Sequence, residues 1–294
     1  MLPFFSEVFG NPASSAHAFG WKAESAVNEA RKQVASLIGA KDKEIIFTSG
    51  ATESNNLAIL GAIGKPNGQV PHFITSQIEH ACVLAIAKEL EDRGIEVTYL
   101  PVNKFGQVEP QTLLKNIKPN TRLVSIMFAN NEVGSINNIL EISKITREKN
   151  ILLHVDAAQA VGKIPVNVNE LGIDLMSISA HKLYGPKGIG ALFVRSQEPK
   201  VRLNSVIFGG GQERGIRPGS LNVPGIVGLG KACEIFKTDC KVEMERTKKL
   251  RDILESEIKN QVGDVIVNGH PTERLPMNLN VTFNGCMPDL LLEN

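Results

Sequence analysis

Two stretches of the chain end an apolar run on a group that can do acid–base or nucleophilic work. His154-Val155-Asp156-Ala157-Ala158-Gln159 delivers a carboxylate, and Ser177-Ile178-Ser179-Ala180-His181-Lys182 delivers an amine. A primary amine condenses with an aldehyde, and a carboxylate set against a pyridine nitrogen keeps that nitrogen protonated. Pyridoxal 5′-phosphate (PLP) requires this pair, a lysine for its aldehyde and an acid for its ring nitrogen, so that the ring can act as an electron sink. Taken singly, Asp156 reads equally well as a helix cap after a strand, and Lys182 as a surface lysine.

A third stretch, Thr48-Ser49-Gly50-Ala51-Thr52-Glu53-Ser54-Asn55-Asn56, runs off an apolar segment into a helical pattern through glycine and hydroxyl residues. Free N–H groups at a helix start, with the helix dipole behind them, suit a phosphate. A plain cap by Ser49 or Thr52 accounts for the same residues. Two more polar loops follow apolar runs. In Ser76-Gln77-Ile78-Glu79-His80 the imidazole could lie flat on a cofactor ring, although a lone histidine in that place is more often a capping or solvated residue. In Ala129-Asn130-Asn131-Glu132 the Asn131 amide could bond a phenolic oxygen. Gly209-Gly210-Gly211-Gln212-Glu213-Arg214-Gly215 permits close backbone approach, yet a turn would explain it without any ligand.

These groups need a scaffold that presents strand ends. Ala23, Ala26, Ala30, Val34 and Leu37 recur at helical spacing over residues 22 to 38, and Gly39 ends the run. Short β-branched segments then alternate with helical ones. Strands are expected at 44 to 48, 72 to 75, 96 to 100, 122 to 128, 151 to 155, 175 to 179 and 191 to 195. Helices are expected from 52, over 81 to 92, 110 to 117 and 139 to 149. Alternation of this kind implies an α/β fold with a mostly parallel sheet covered on both faces, and ligands in such sheets sit at the carboxyl ends of the strands. Past residue 236 the texture changes to a charged helical stretch over 242 to 259 and two strands, 265 to 268 and 278 to 283. The division expected is a large domain, 1 to 235, and a smaller α+β domain, 236 to 294, which breaks off where an amphipathic segment begins at 289.

Composition narrows the partners. With 294 residues, 42% of them hydrophobic, the chain can bury a full core. Its 32 basic and 31 acidic residues nearly cancel, so nucleic acid and an anionic membrane are poor main partners and a small molecule is the better one. The four cysteines, Cys82, Cys233, Cys240 and Cys286, lack disulfide or zinc spacing. No apolar run is long enough for a membrane span. Together these point to a cytoplasmic, reducing setting. A nicotinamide dehydrogenase has little support, because no GxGxxG opens a helix after the first strand and Lys182 would have no task there.

With these segments in order, the chain resembles the NifS/IscS-like cysteine desulfurases, class V aminotransferases of PLP fold type I. The resemblance rests on Gly10-Asn11-Pro12-Ala13-Ser14 with His17, residues 47 to 56, Glu79-His80, Asn130-Asn131-Glu132, His154-Val155-Asp156, His181-Lys182, Tyr184-Gly185-Pro186-Lys187-Gly188 and residues 209 to 214. It implies that Lys182 forms the Schiff base, Asp156 partners the pyridinium nitrogen, and His80 stacks on the ring and transfers protons. It assigns Asn131 and Gln159 to the phenolic side, and Ala51, Thr52, Ser179 and His181 to the phosphate. Ser220, where the family usually has threonine, would reach the phosphate of the neighbouring subunit in a homodimer.

The resemblance also implies L-cysteine as substrate, alanine and an enzyme-bound persulfide as products, and a sulfur-acceptor protein serving iron–sulfur assembly or other sulfur transfer. The family's nucleophilic cysteine lies on a loop past the position of Asn294, the arginine that grips the substrate carboxylate lies further still, and an Asp-Asn-Asn-Ala-Thr-like opening segment precedes the position of Met1. A chain short at both ends is therefore expected to bind PLP but form little product if it is a full-length product, and the ordinary desulfurase reaction is expected if it is a piece of a longer one. Cys82, two residues after His80, reads as a small buried residue starting a helix. The alternatives are a selenocysteine lyase, or a catalytically inactive PLP-binding or scaffold homologue.

Overall fold

The computed structural model describes residues 1–64, 69–197 and 201–286; the amphipathic segment expected from 289 lies outside them. The chain opens with α1 (Pro3–Ser6) and α2 (Ala18–Leu37), then β1 (Ile45–Thr48), α3 (Ala51–Ile63), β2 (His72–Ser76), α4 (Ala81–Asp92), β3 (Glu96–Leu100) and α5 (Pro110–Asn116). It continues through β4 (Thr121–Met127), α6 (Ile139–Glu148), β5 (Leu152–Asp156), β6 (Leu175–Ser179), β7 (Gly190–Val194), α7 (Val223–Val262), β8 (Val265–Asn268) and β9 (Asn280–Phe283). The seven large-sheet strands take the order β1-β7-β6-β5-β4-β2-β3. All run parallel except β7, which lies antiparallel to both β6 and β1.

Burial on both faces explains why these strands read as continuous apolar runs rather than alternating ones. Ile45, Phe47, Val124, Ile126, Leu153, Val155, Met176 and Ile178 turn to one face and pack with α2, α6 and the start of α7. Their neighbours Ile46, Leu123, Leu175 and Leu192 turn to the other face and meet Leu57, Ile59, Val83 and Ile86 of α3 and α4. Each such side chain, fully buried, contributes about 1.5–3 kcal/mol. Three polar residues in the strands are satisfied by one another: His154 lies between Ser125 Oγ at 2.8 Å and Ser177 Oγ at 3.0 Å.

The glycine-rich stretch forms a tight turn over Gln212–Gly215, in which Glu213 (φ 46°) and Arg214 (φ 59°) adopt left-handed backbone. What holds it there is the buried Glu213 carboxylate, which accepts Arg31 Nη1 at 2.9 Å and Nη2 at 2.6 Å and the Phe47 N–H at 2.7 Å. Beyond it, α7 runs without a break through residue 236. Val223, Ile226, Leu229 and Cys233 near its start are buried, whereas Val242, Leu250 and Leu254 are exposed. The change of texture seen in the sequence is this change of burial along one helix. At its far end β8 and β9 pair antiparallel, and Asn278 and Asn280 both donate from Nδ2 to Glu132 O. No described helix is long and apolar enough to cross a membrane.

Candidate active site

The carboxyl ends of β1, β2, β4, β5 and β6 open into one cavity of about 350 Å³. Ala51, Thr52, His80, Asn131, Asp156, Gln159, Ser179, His181 and Lys182 all line it. Ser220 does not; it is exposed and outside the pocket of its own chain.

β5 carries Asp156 inward at the last position of the strand, 5% exposed. Its Oδ2 accepts Asn55 Nδ2 at 2.8 Å and its Oδ1 accepts the Ala158 N–H at 3.0 Å. Burial pushes its carboxyl above the ordinary range, against those two hydrogen bonds and the nearby His80, which pull it down. A buried acid in this state suits a cationic ring N–H, because the pair shares one proton in a medium that disfavours either charge alone. Lys182 rises from the short turn Ala180–Leu183 that follows β6, one strand away.

Neither Ser49 nor Thr52 caps α3. The cap position is Gly50 with no side-chain hydrogen bond, so the first-turn N–H groups are left facing the pocket. Glu53 in that turn accepts the Ser49 N–H at 2.6 Å and Arg217 Nε at 2.8 Å. Burial raises its carboxyl, but these bonds outweigh burial and hold it below the usual range. The cradle depends on a close approach: a Cβ on Gly190 would lie 2.7 Å from Gly50 Cα and 2.5 Å from Ile178 O. Ser179 Oγ and His181 Nδ1 sit 3.0 Å apart at the same end.

His80 does two things at once. Its Nδ1 accepts the Cys82 N–H at 3.2 Å, capping α4, which leaves the proton of the neutral ring on Nε2. Cys82 departs from expectation: it is only half-buried, it lines the cavity, and its Sγ lies 3.0 Å from His80 Nδ1 and 3.2 Å from Asn55 Nδ2. Burial pushes its thiol up. Beneath this corner Glu79 is 5% exposed, with Oε1 accepting Ser76 Oγ and the Met127 N–H; burial, which these bonds oppose, drives its carboxyl to about 8, with the nearby Asp156 adding to the rise.

Sequence reasoning gave no role to Asn55 or Lys187, which reaches the pocket wall. Asn55 carried a usable signal, since it is a polar residue at the i−3 and i−4 positions to the buried Ala58 and Ile59 of α3.

The donor set is thus an amine, a buried carboxylate, an imidazole and an uncapped helix start with hydroxyls beside it, which fits PLP. Comparison with known proteins agrees with this. The family model described as Aminotransferase class-V matches residues 1–293. The mitosomal cysteine desulfurase of Encephalitozoon cuniculi is 51% identical over 285 residues, 96% of this chain and 66% of that protein. Cysteine desulfurase IscS of Neisseria meningitidis is 51% identical over 284 residues, 97% of this chain and 70% of that protein. A solved structure described as a NifS-like protein superposes with a TM-score of 0.94 at 39% identity, covering 99% of this chain and 79% of the other. The chain belongs to the class-V aminotransferase family, in its cysteine desulfurase branch. That family is PLP-dependent. The chain spans about two thirds of the length of the curated relatives it matches.

Proposed function

We propose that the cavity holds PLP on Lys182 and that the chain is the cofactor-binding part of a cysteine desulfurase acting on L-cysteine. The observation that carries this reading is the convergence of the Lys182 amine, the buried Asp156 carboxylate and the uncapped start of α3 in one cavity. PLP, when bound, supplies an electron sink for the charge left on a substrate carbon that gives up a proton.

The protein's own groups do the rest. Lys182 anchors the cofactor and is an amine of the cavity lining available to move a proton at the substrate carbon. Asp156, steadied by Asn55 and the Ala158 N–H, holds the proton on the ring nitrogen. Thr52, Ser179, His181 and the α3 N–H groups take the phosphate. His80 offers its Nε2 proton into the pocket, while Asn131 and Gln159 address the phenolic oxygen. Ser220, exposed on its own chain, is read as serving the phosphate site of a second subunit. Exposed Phe9, Phe19, Trp21 and Phe208 favour such a homodimer.

Sulfur would pass as a persulfide to an acceptor protein, for iron–sulfur assembly or other transfer, leaving alanine. Cys82 is a poor recipient, since burial raises its thiol pKa and Asn55 and His80 occupy its Sγ. The 294 residues are therefore expected to bind PLP and form little alanine. We read residues 1 to 235 as the large domain and 236 to 294 as part of the small one, joined through α7. A cytoplasmic, reducing setting is consistent with Cys82, Cys233 and Cys240 standing outside any disulfide.

The test is PLP titration of the purified chain, borohydride reduction and mass mapping of the pyridoxyl adduct. The adduct is expected on Lys182 and absent in Lys182→Ala. An adduct on another lysine, or none, would remove the reading. Mass spectrometry for alanine after cysteine addition tests the second half; robust turnover would overturn the expectation of little product.

A further inference from the structure

Behind the pocket wall stands a lysine that none of the steps above uses. Lys163 donates from Nζ to Gln159 Oε1 at 2.5 Å; Gln159 lines the cavity and Lys163 does not. The turn that brings it there is fixed at Gly162 (φ +77°), where a Cβ would stand 2.9 Å from Leu183 Cβ and 3.4 Å from the Phe236 ring. Leu183 directly follows Lys182. The turn after β5 is thereby packed onto the turn after β6, and a second ammonium is held near the first.

Among the described residues no carboxylate pairs with Lys163. Burial and the Lys182 charge bring its pKa down to about 8. Its charge is also felt at His181, whose ring burial and the cations Lys182, Lys187 and Lys163 hold below the usual range. The titratable groups around it are thus Lys182 and His181 from the turn after β6, while α7 meets the neighbouring Gly162 with the uncharged Phe236. A partly buried cation without a counter-ion is costly to keep, and the acceptor this one finds is an amide oxygen.

We propose that Lys163 is a positioning residue: it grips the Gln159 amide by its oxygen, so that the amide NH2 is the end presented to the pocket. Without such a grip a glutamine amide presents oxygen or nitrogen with little preference. On the reading that the pocket holds PLP, which this proposal rests on, the NH2 is the correct end for the cofactor's phenolic oxygen. Below about pH 8 the ammonium makes a charge-assisted bond; above it the neutral amine makes a weaker one.

The test measures PLP affinity of the full chain, Lys163→Met, Lys163→Arg, Gln159→Leu and the Lys163→Met/Gln159→Leu double variant. Folding of each is checked by circular dichroism. At about pH 6.5, Lys163→Met is expected to weaken PLP about five- to tenfold, the scale of one charge-assisted bond. At about pH 9.5 the ratio to the unaltered chain should fall to within about twofold, because the native ammonium has by then lost its proton. Lys163→Arg, charged throughout, should keep its affinity at both pH values. The double variant should bind no more weakly than Gln159→Leu alone. A 3-deoxypyridoxal phosphate probe, lacking the phenolic oxygen, should bind Lys163→Met and the unaltered chain alike. Additive losses in the double variant, a loss independent of pH, or an equal loss with the 3-deoxy probe would each overturn the proposal while leaving PLP binding intact. Failure of the folded, unaltered chain to bind PLP would overturn the cofactor reading and this proposal with it.

Discussion

Replacing Glu79 by glutamine should change how the stability of this protein depends on pH. In the folded state the Glu79 carboxyl is displaced from 4.5, the ordinary glutamate value, to about 8. A raised carboxyl pKa means that the folded chain holds a proton which the unfolded chain has already released. Stability therefore falls as pH rises from about 4.5 to about 8, and the full cost is present above that. At about 1.4 kcal/mol per pKa unit, the cost would reach about 5 kcal/mol. Glutamine keeps an Oε1 acceptor for Ser76 and the Met127 N–H. Its NH2 would occupy the place of Oε2, which has no partner, at a fixed cost of about 1–3 kcal/mol. The slope is thus the diagnostic, and the absolute offset is not. Urea unfolding of both proteins at about pH 5.5 and about pH 8.5 should show the difference between them moving in favour of Glu79→Gln by about 3 kcal/mol. A difference that stays constant to within about 1 kcal/mol across that range would refute the argument that Glu79 is a neutral acid at neutral pH.

His154 works in the opposite direction: burial holds its ring pKa down at about 3, so the unfolded chain takes up the proton first. Stability should drop as pH falls from about 6.5 toward 3, and His154→Gln should flatten that acid limb in denaturant titrations. Glu213→Ala would strip Arg31 of its carboxylate and leave the buried Phe47 N–H unpaired, a loss of about 3–5 kcal/mol readable as a lowered urea midpoint; a Glu213→Ala/Arg31→Ala double variant losing the sum of the two single effects would argue against the pair. Asn55→Leu removes one donor from Asp156 and should raise the Asp156 carboxyl further, so that less of it is ionised to hold the ring proton, weakening PLP binding most at low pH in absorbance titrations; unchanged binding would deny Asn55 its supporting role. Gly190→Ala places a methyl against Gly50 and Ile178 O and should cost both stability and PLP affinity; a protein unchanged in melting temperature and binding would show that the two loops can part.

The sheet was legible because its strands fall on short, mostly apolar runs between helical segments, and β3 and β6 fall at the expected residues. Strand direction was not, since an apolar run reads the same either way; β7 turns back between β6 and β1 only because the short turn after Lys182 leads into it. At the site, residues that end strands stood out, but the partners that make them work did not. Asn55 reaches Asp156 from a different element, and the Gln159–Lys163 contact depends on a turn geometry set by packing against Leu183. His80 was read as either a capping residue or a ring-stacking one; one nitrogen caps α4 while the ring borders the pocket. Cys82 was read by its apolar neighbours, and helix phase instead turns its thiol toward the cavity.

The long helix α7 has a mechanical meaning. Its first half packs on α2 and on the short turn after β6, and its second carries β8 and β9, whose Asn278 and Asn280 hold the carbonyl of Glu132, the neighbour of Asn131. From residue 236 to Arg251, whose Nη1 lies 3.4 Å from Asn278 O, the rod is about 22 Å long at 1.5 Å per residue. A flexure of about 5° at its midpoint would displace that end by about 1 Å on the same geometry. Asn131 is therefore geared to the far sheet: small rocking of the one would be delivered to the pocket as movement of the other.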